Sequence, residues 1–450
     1  MSRSSETLAA QWNALVDEHL PVADERGIWR SNALAAPSDR VNQGWKLHIS
    51  ATAISAISTL RRCARVLNST SLRWKAPTSL EDVRRLNMGL FHGYSQIGKI
   101  ITVYAVDSAT ARSLAALLDD TLAGATGPAV PFDVPYRRGG VVYYRYGVID
   151  PLLWVRVGER DVPALRSPAG ELVPDVRAAH RAVPDWIEDT ISVSRRRIAR
   201  RPRLPEPYLV YEAISQRGKG GVYRALDLGA DPPRPCVVKE GRRHGETEPD
   251  GRDGRQRVAH ERRVLGALAA AGVAVPRVLA AFVRAGNQYL VLEQLEGPTL
   301  STAVAENGPY PVEWVAGIGA QLAEQIAAMH SGGWAWRDCK AQNIILTEAD
   351  VRLLDVEGAC RIGHARELPW GSPGHLPPEW PDPRYAVEHD LYALGAVLHH
   401  LLTGRLPGAP GPRLASELAL IVGGLLDPDP HRRPTAASVH AALRKLTIGG

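Results

Sequence analysis

Residues 44–50, "GWKLHIS", alternate: on an extended strand Leu47 and Ile49 point one way, and Lys46, His48 and Ser50 the other. Beyond them the period lengthens. Ile54, Ile57, Leu60 and Leu67 recur at helical spacing, with Arg61, Arg62 and Arg65 elsewhere around the wheel. A short strand over 72–75 and a stronger one over 99–106 follow, then a helix striped by Leu114, Leu117, Leu118 and Leu122. Asp107 and Ser108 are its candidate caps, and 140–149 reads as another strand. This pattern predicts a small α+β domain, closed by an irregular region that contains Pro163, Pro168 and Pro174. The basic, proline-containing stretch 194–207 lacks apolar periodicity and reads as an interdomain linker. After it the chain is strand-rich to about 293 and mostly helical to the end. We expect an α+β chain of two domains, 1–202 and 203–450, the second bilobal with lobes at 203–297 and 298–450.

Composition narrows the function only by exclusion. With 450 residues, 45% hydrophobic and 23% charged, the chain can bury full cores in an aqueous setting. The net charge of +6 is not gathered into a stripe, which argues against a nucleic-acid partner. Cysteines at 63, 236, 339 and 360 form no CxxC pair and have no His cluster beside them, so neither a zinc site nor a disulfide framework is expected. The run 264–275 is short of the ~20 apolar residues of a membrane span. The N-terminus carries acids among its apolar residues, unlike a signal peptide. A cytoplasmic protein without a membrane partner is the expectation.

Chemistry concentrates first in the second half. Lys239 ends the apolar strand "CVVKEG", and Glu261 lies on a following helix. "WRDCKAQNIIL" sets Asp338 and Asn343 five apart with Lys340 between them, and a further apolar strand ends at Asp355. In this order and spacing the pieces resemble a protein kinase. The resemblance implies that Lys239 holds the nucleotide's phosphates, that Glu261 orients Lys239, and that Asp338 accepts the hydroxyl proton. It further implies that Lys340 assists at the nucleotide, that Asn343 and Asp355 hold Mg²⁺, and that ATP or another NTP is the donor. "GSPGHLPPEW" resembles the end of an activation segment, with Ser372 available for phosphorylation and Glu379 as the partner of Arg433; Asp390 resembles the buried acid of the large lobe. There are departures. The glycine-rich loop 214–225 keeps Gly220 and Val222 but has Ser215 and Arg217 at its first two glycine positions. The metal motif reads Asp-Val-Glu, and Trp336 precedes Arg337 where a His is usual. Cys339 reads as a small packing residue.

The first half then acquires a meaning. A phosphorylated Ser or Thr can lose phosphate if a base takes the α-proton while cations hold the departing dianion. Lys46 and His48 in "WKLHIS", Lys75 in "RWK", "GKIITVY" and "YRYG" together resemble the phosphoserine/phosphothreonine lyase domain of class III lanthipeptide synthetases. The stretch 163–175 resembles the segment that joins lyase to kinase there. That resemblance implies Lys75 as general base and His48 as general acid, with Lys46 holding substrate and depressing the base's pKa. It implies Arg145 as the phosphate clamp, with Lys99 adding charge. Tyr104 and Tyr143 are further candidates, although strand aromatics more often pack. Tyr94 stands where an Arg is expected, which leaves Arg84 or Arg85 to compensate. The implied protein is a bifunctional enzyme that phosphorylates and then dehydrates a precursor peptide bearing an N-terminal leader. No cyclase segment follows the last kinase helix, so ring closure would fall to a separate cyclase, with a partner decarboxylase as a further candidate. The alternatives are a Ser/Thr kinase with a non-catalytic front domain, and a phosphopeptide-binding scaffold with an inactive kinase.

Overall fold

The computed structural model describes residues 3–23, 27–33, 40–178, 182–192, 204–364, 368–408 and 416–448. Most of the expected linker 194–207, and the boundary at 202/203, lie outside them. The chain divides into two compact units, one of 1–234, 239–256 and 283–289, the other of 235–238, 257–282 and 290–450.

The first unit opens with α1 (Arg3–His19), β1 (Val22–Ala23), β2 (Trp29–Ser31), β3 (Gln43–Ile49), α2 (Ala56–Leu67), β4 (Trp74–Pro77) and α3 (Leu80–Met88). It continues through β5 (Ile101–Ala105), α4 (Ser108–Thr121), β6 (Val134–Pro135) and β7 (Val142–Val148). The strands form one sheet in the order β1-β2-β4-β5-β3-β7-β6. Its apolar face carries Trp45, Leu47, Ile49, Trp74, Ile101, Val103, Val142 and Tyr144, all buried in a core with Leu60, Cys63 and Leu118 of the helices. Each aliphatic side chain so buried contributes roughly 1.5–3 kcal/mol. The helix ends are set locally: the Asp107 carboxylate accepts from Thr110 N at 2.8 Å, and Ser79 and Asp82 form a reciprocal box before α3.

The region expected to be irregular is instead a three-stranded antiparallel sheet of β8 (Trp154–Val157), β9 (Arg160–Arg166) and β10 (Leu172–Pro174), ordered β10-β9-β8. Pro163 is accommodated in the central strand because the ladder asks it only for its carbonyl, which accepts from Asp175 N at 2.9 Å.

Then come β11 (Tyr208–Gln216), β12 (Gly220–Asp227), β13 (Arg234–Gly241), α5 (Gly254–Ala270), β14 (Val278–Arg284) and β15 (Asn287–Glu293), the sheet-rich lobe of a kinase-like domain. Within the first unit the turn from β11 to β12 is closely held. Gly218 N donates to Met88 O at 2.9 Å, at the end of α3, and Lys219 O accepts from Arg242 N at 2.8 Å. A Cβ on Gly218 would sit 1.7 Å from Asn87 O, so only glycine fits.

The helical lobe belongs to the second unit: α6 (Leu300–Asn307), α7 (Val312–Ser331), β16 (Trp334–Ala335), β17 (Ile344–Leu346), β18 (Val351–Leu353), β19 (Cys360–Arg361), α8 (Ala386–Thr403), α9 (Glu417–Leu425) and α10 (Ala436–Ile448). Arg433 grips Glu379 with two nitrogens at 2.6 and 2.9 Å, its guanidinium buried. Asp390 accepts from the backbone N–H of Trp336 at 2.7 Å and of Arg337 at 2.6 Å, which shapes the loop carrying Asp338. Among the described residues no helix is long and apolar enough to cross a membrane.

Candidate active site

The polar face of the seven-stranded sheet holds the first constellation. Lys75 pairs in register with Thr102, which pairs with His48; one row along, Tyr104 pairs with Lys46 and Lys46 with Arg145. Strand spacing sets the backbones at 75 and 48 about 10 Å apart, close enough for long side chains to converge. They do converge. Lys46, His48, Lys75, Lys99, Thr102, Tyr104 and Arg145 line one open cleft of about 330 Å³, with Trp29, Gln96 and Arg177. Tyr143 is buried beside His48 in register.

Two carboxylates that sequence reasoning missed organise these cations. Asp133, buried, approaches His48 Nδ1 at 2.5 Å and accepts from Lys99 Nζ at 2.9 Å. It is aimed inward by a left-handed Phe132 at φ 67°, a conformation costing about 1–2 kcal/mol. The approach to that turn is fastened to the sheet through Ser50 Oγ, which donates to Pro128 O at 2.6 Å. Asp175 accepts from Arg145 Nη2 and, at 3.0 Å, from Val148 N. Gly147 lies under that guanidinium, where a Cβ would come within 3.1 Å of Arg145 Cζ.

The electrostatics follow from burial and crowding. Burial first, then Arg145, with Arg177 and Lys75 adding, lowers Lys46 to about 7. Burial lowers Lys99 to about 8 against the pull of Asp133. His48 is held well below the ordinary imidazole range by burial, despite Asp133, so its neutral ring donates Nδ1–H to that carboxylate. Lys75 lies with its ammonium 4.2 Å from the Trp29 ring centroid, which fixes its direction.

Position 94 is also accounted for. Tyr94 packs edge-on against Phe132 and under Arg242, whose guanidinium is 5.1 Å from the ring centroid. Arg84 and Arg85 both pair with Glu81 on α3.

The second constellation lies in the second unit. Asp338, buried, accepts from Ser372 Oγ at 2.7 Å, Lys340 Nζ at 2.8 Å and Asn343 Nδ2 at 2.9 Å. Lys340 also donates to Ser372 Oγ at 2.8 Å, so that hydroxyl is part of the loop's own network. Cys339 is buried and its thiol pushed well above the ordinary range by burial, an inert packing group. Asp355, Glu261 and Glu357 each bring a carboxylate oxygen within 4.8 Å of the others. Three hard oxygens fit a hard divalent cation, while the amide nitrogen of Asn343 is committed to Asp338. Glu357 appeared in the sequence only as a departure from glycine. In the first unit, Gly220 and Val222 lie on β12 and Lys239, half-buried, on β13.

Comparison with known proteins places two family matches along the chain, the second of them running through both compact units. The family described as "RamC, N-terminal domain" matches residues 15–202, and that described as "Protein kinase domain" matches 211–415. A "Probable SapB synthase" of Streptomyces coelicolor is 31% identical over 392 residues, 83% of this chain and 41% of the relative. The serine/threonine-protein kinase PknL of Mycobacterium tuberculosis is 31% identical over 219 residues, 45% of this chain and 51% of its own length. A probable serine/threonine-protein kinase, PkwA, of Thermomonospora curvata is 28% identical over 265 residues, 53% of this chain and 34% of the relative. The chain thus spans between about a third and a half of these relatives.

Proposed function

The chain is a RamC-type N-terminal domain joined to a protein kinase domain, the pairing of the class III lanthipeptide synthetases its motifs resemble, and from that premise we propose a bifunctional peptide dehydratase. The kinase half is a phosphotransferase, using a nucleoside triphosphate and a divalent metal as such domains do. The finer proposal is that it phosphorylates Ser and Thr of a ribosomally made peptide with ATP and Mg²⁺, and that the front domain eliminates the phosphate. One observation carries it: Lys75, His48, Lys46 and Arg145 share a single cleft in a chain that also holds a kinase domain.

In the transfer half, Asp338 receives the acceptor hydroxyl's proton, and Lys340 and Ser372 hold that carboxylate in place. Asp355, Glu261, Glu357 and Asn343 are the residues that would hold the cation, which supplies positive charge to the phosphate oxygens. In the elimination half, burial and the neighbouring cations, Arg145 first, hold Lys46 at about 7. Lys75, on the strand farther from Arg145, takes the α-proton as a free amine; the Cβ–O bond breaks and its electrons leave with phosphate. His48 takes up a proton from solvent at Nε2 as the phosphorylated substrate binds, and gives that proton to the departing phosphate oxygen while Asp133 holds Nδ1, so hydrogen phosphate leaves and His48 is neutral again. Dehydroalanine or dehydrobutyrine remains.

Mass spectrometry tests the reading. Wild-type product should be lighter than substrate by one water per site, whereas Lys75→Ala should accumulate product heavier by a phosphate. Full dehydration by Lys75→Ala would remove the base assignment. Phosphorylated product from the wild type, with none dehydrated, would leave a kinase with a non-catalytic front domain, a reading the kinase relatives alone would support. Ser372→Ala should slow phosphoryl transfer about 10- to 100-fold by removing a hydrogen bond to a charged carboxylate. Ser372→Thr should stay near wild type, measured as initial rate at saturating nucleotide; an alanine variant at full rate would show that Asp338 needs no such brace.

A further inference from the structure

Arg177 is unexplained by any motif, yet it lines the cleft with Lys46, Lys75, His48 and Arg145. It lies two residues beyond Asp175, the acid that grips Arg145 and caps Val148 N, so a short segment after β10 places both groups. That segment is fixed by backbone bonds, Asp175 N to Pro163 O at 2.9 Å and Val176 N to Pro174 O at 2.9 Å. Arg177 Nη1 donates to Ser95 Oγ at 3.1 Å, across the cleft mouth from the turn that follows Tyr94. Tyr94, meanwhile, is occupied with Phe132 and Arg242.

The charge balance calls for an anion. Six basic side chains line the cleft, Lys46, His48, Lys75, Lys99, Arg145 and Arg177, and the carboxylates bonded to them are Asp133 and Asp175. The lysines and the two guanidiniums outnumber these carboxylates, so the cleft holds an excess of basic groups for an anion to meet.

We propose that Arg177 binds the substrate phosphate, supplying from the segment after β10 the guanidinium that position 94 lacks. This rests on the lyase reading. A guanidinium can present two parallel N–H donors to two phosphate oxygens, which a tyrosine cannot. Arg145 and Arg177 then clamp the dianion from two elements, and Lys75 is left to the peptide.

The test uses the full chain and a synthetic phosphoserine peptide, with released phosphate as readout and phosphoryl transfer as the folding control. Arg177→Ala should raise KM about 10- to 100-fold with a smaller change in kcat, and weaken competitive inhibition by inorganic phosphate in parallel. Arg177→Lys should recover part of the loss, as a point charge does. If the wild type eliminates phosphate and Arg177→Ala and Arg177→Lys both keep its KM, the assignment is overturned and the lyase reading stands. A wild type that releases no phosphate overturns both.

Discussion

An Asp338→Asn chain should leave an unmodified peptide untouched, yet eliminate phosphate at the wild-type rate from a peptide phosphorylated by synthesis. Asp338 is the carboxylate on which Ser372, Lys340 and Asn343 converge. An amide there keeps the shape but turns one acceptor into a donor, facing groups that themselves donate. It also removes the oxygen that would accept the hydroxyl proton. Loss of a positioned general base is worth about 10²- to 10⁴-fold, so transfer should fall below easy detection. Elimination uses Lys75, His48 and the cleft cations, none of which touches Asp338 in the chemistry proposed. Two spectra decide it, one per substrate; dehydration of the unmodified peptide by this variant would break the order of kinase first and lyase second.

Asp133→Asn should do the converse and cost stability as well. Burial would raise this carboxyl, yet His48 and Lys99 hold it at about 2. Its folded-state value is therefore depressed from ~3.9, so its stabilisation is full above that value and lost as pH falls through about 2. Substitution leaves the Lys99 ammonium buried without its counter-charge, a change typically worth about 3–5 kcal/mol. Lys99, already lowered to about 8, then sheds its proton more readily. His48 loses the acceptor that fixes its tautomer, and Nε2 is no longer reliably the atom that faces phosphate. Elimination should drop about 100-fold or more while peptide phosphorylation continues, so phosphopeptide accumulates. Thermal unfolding at pH 7 reads the stability loss. A variant with wild-type melting and wild-type elimination would mean that the buried triad is idle.

The parts of this site that could be read in advance are those governed by strand geometry. Because side chains alternate and one face of the sheet is apolar, Lys46, His48, Lys75 and Arg145 had to share the other face once their strands were recognised. The kinase loop was legible for a different reason: Asp338, Lys340 and Asn343 lie within six residues, so local spacing carries the chemistry. Asp133, Asp175 and Arg177 obey neither rule. They sit in aperiodic segments and are 85 residues from His48, 30 from Arg145 and 82 from Ser95 respectively. Only the folded chain brings such groups together. Tyr94 gave a real signal, a missing cation, but the compensation was sought at Arg84 and Arg85 on α3, whose partner is Glu81 one turn away. The sheet of β8 to β10 was hidden by its prolines, which break a strand only where the ladder needs their nitrogen.

The bond from Gly218 to Met88 has a practical consequence for modular engineering. A chimera spliced at the basic linker would set a foreign turn against the end of α3, where only a residue without a side chain clears Asn87. Asn87 in turn braces Gly98, the neighbour of Lys99, through Oδ1 at 3.1 Å. The two halves are therefore poor cassettes: a graft that ignores this contact disturbs the lysine holding Asp133, far from any cut site.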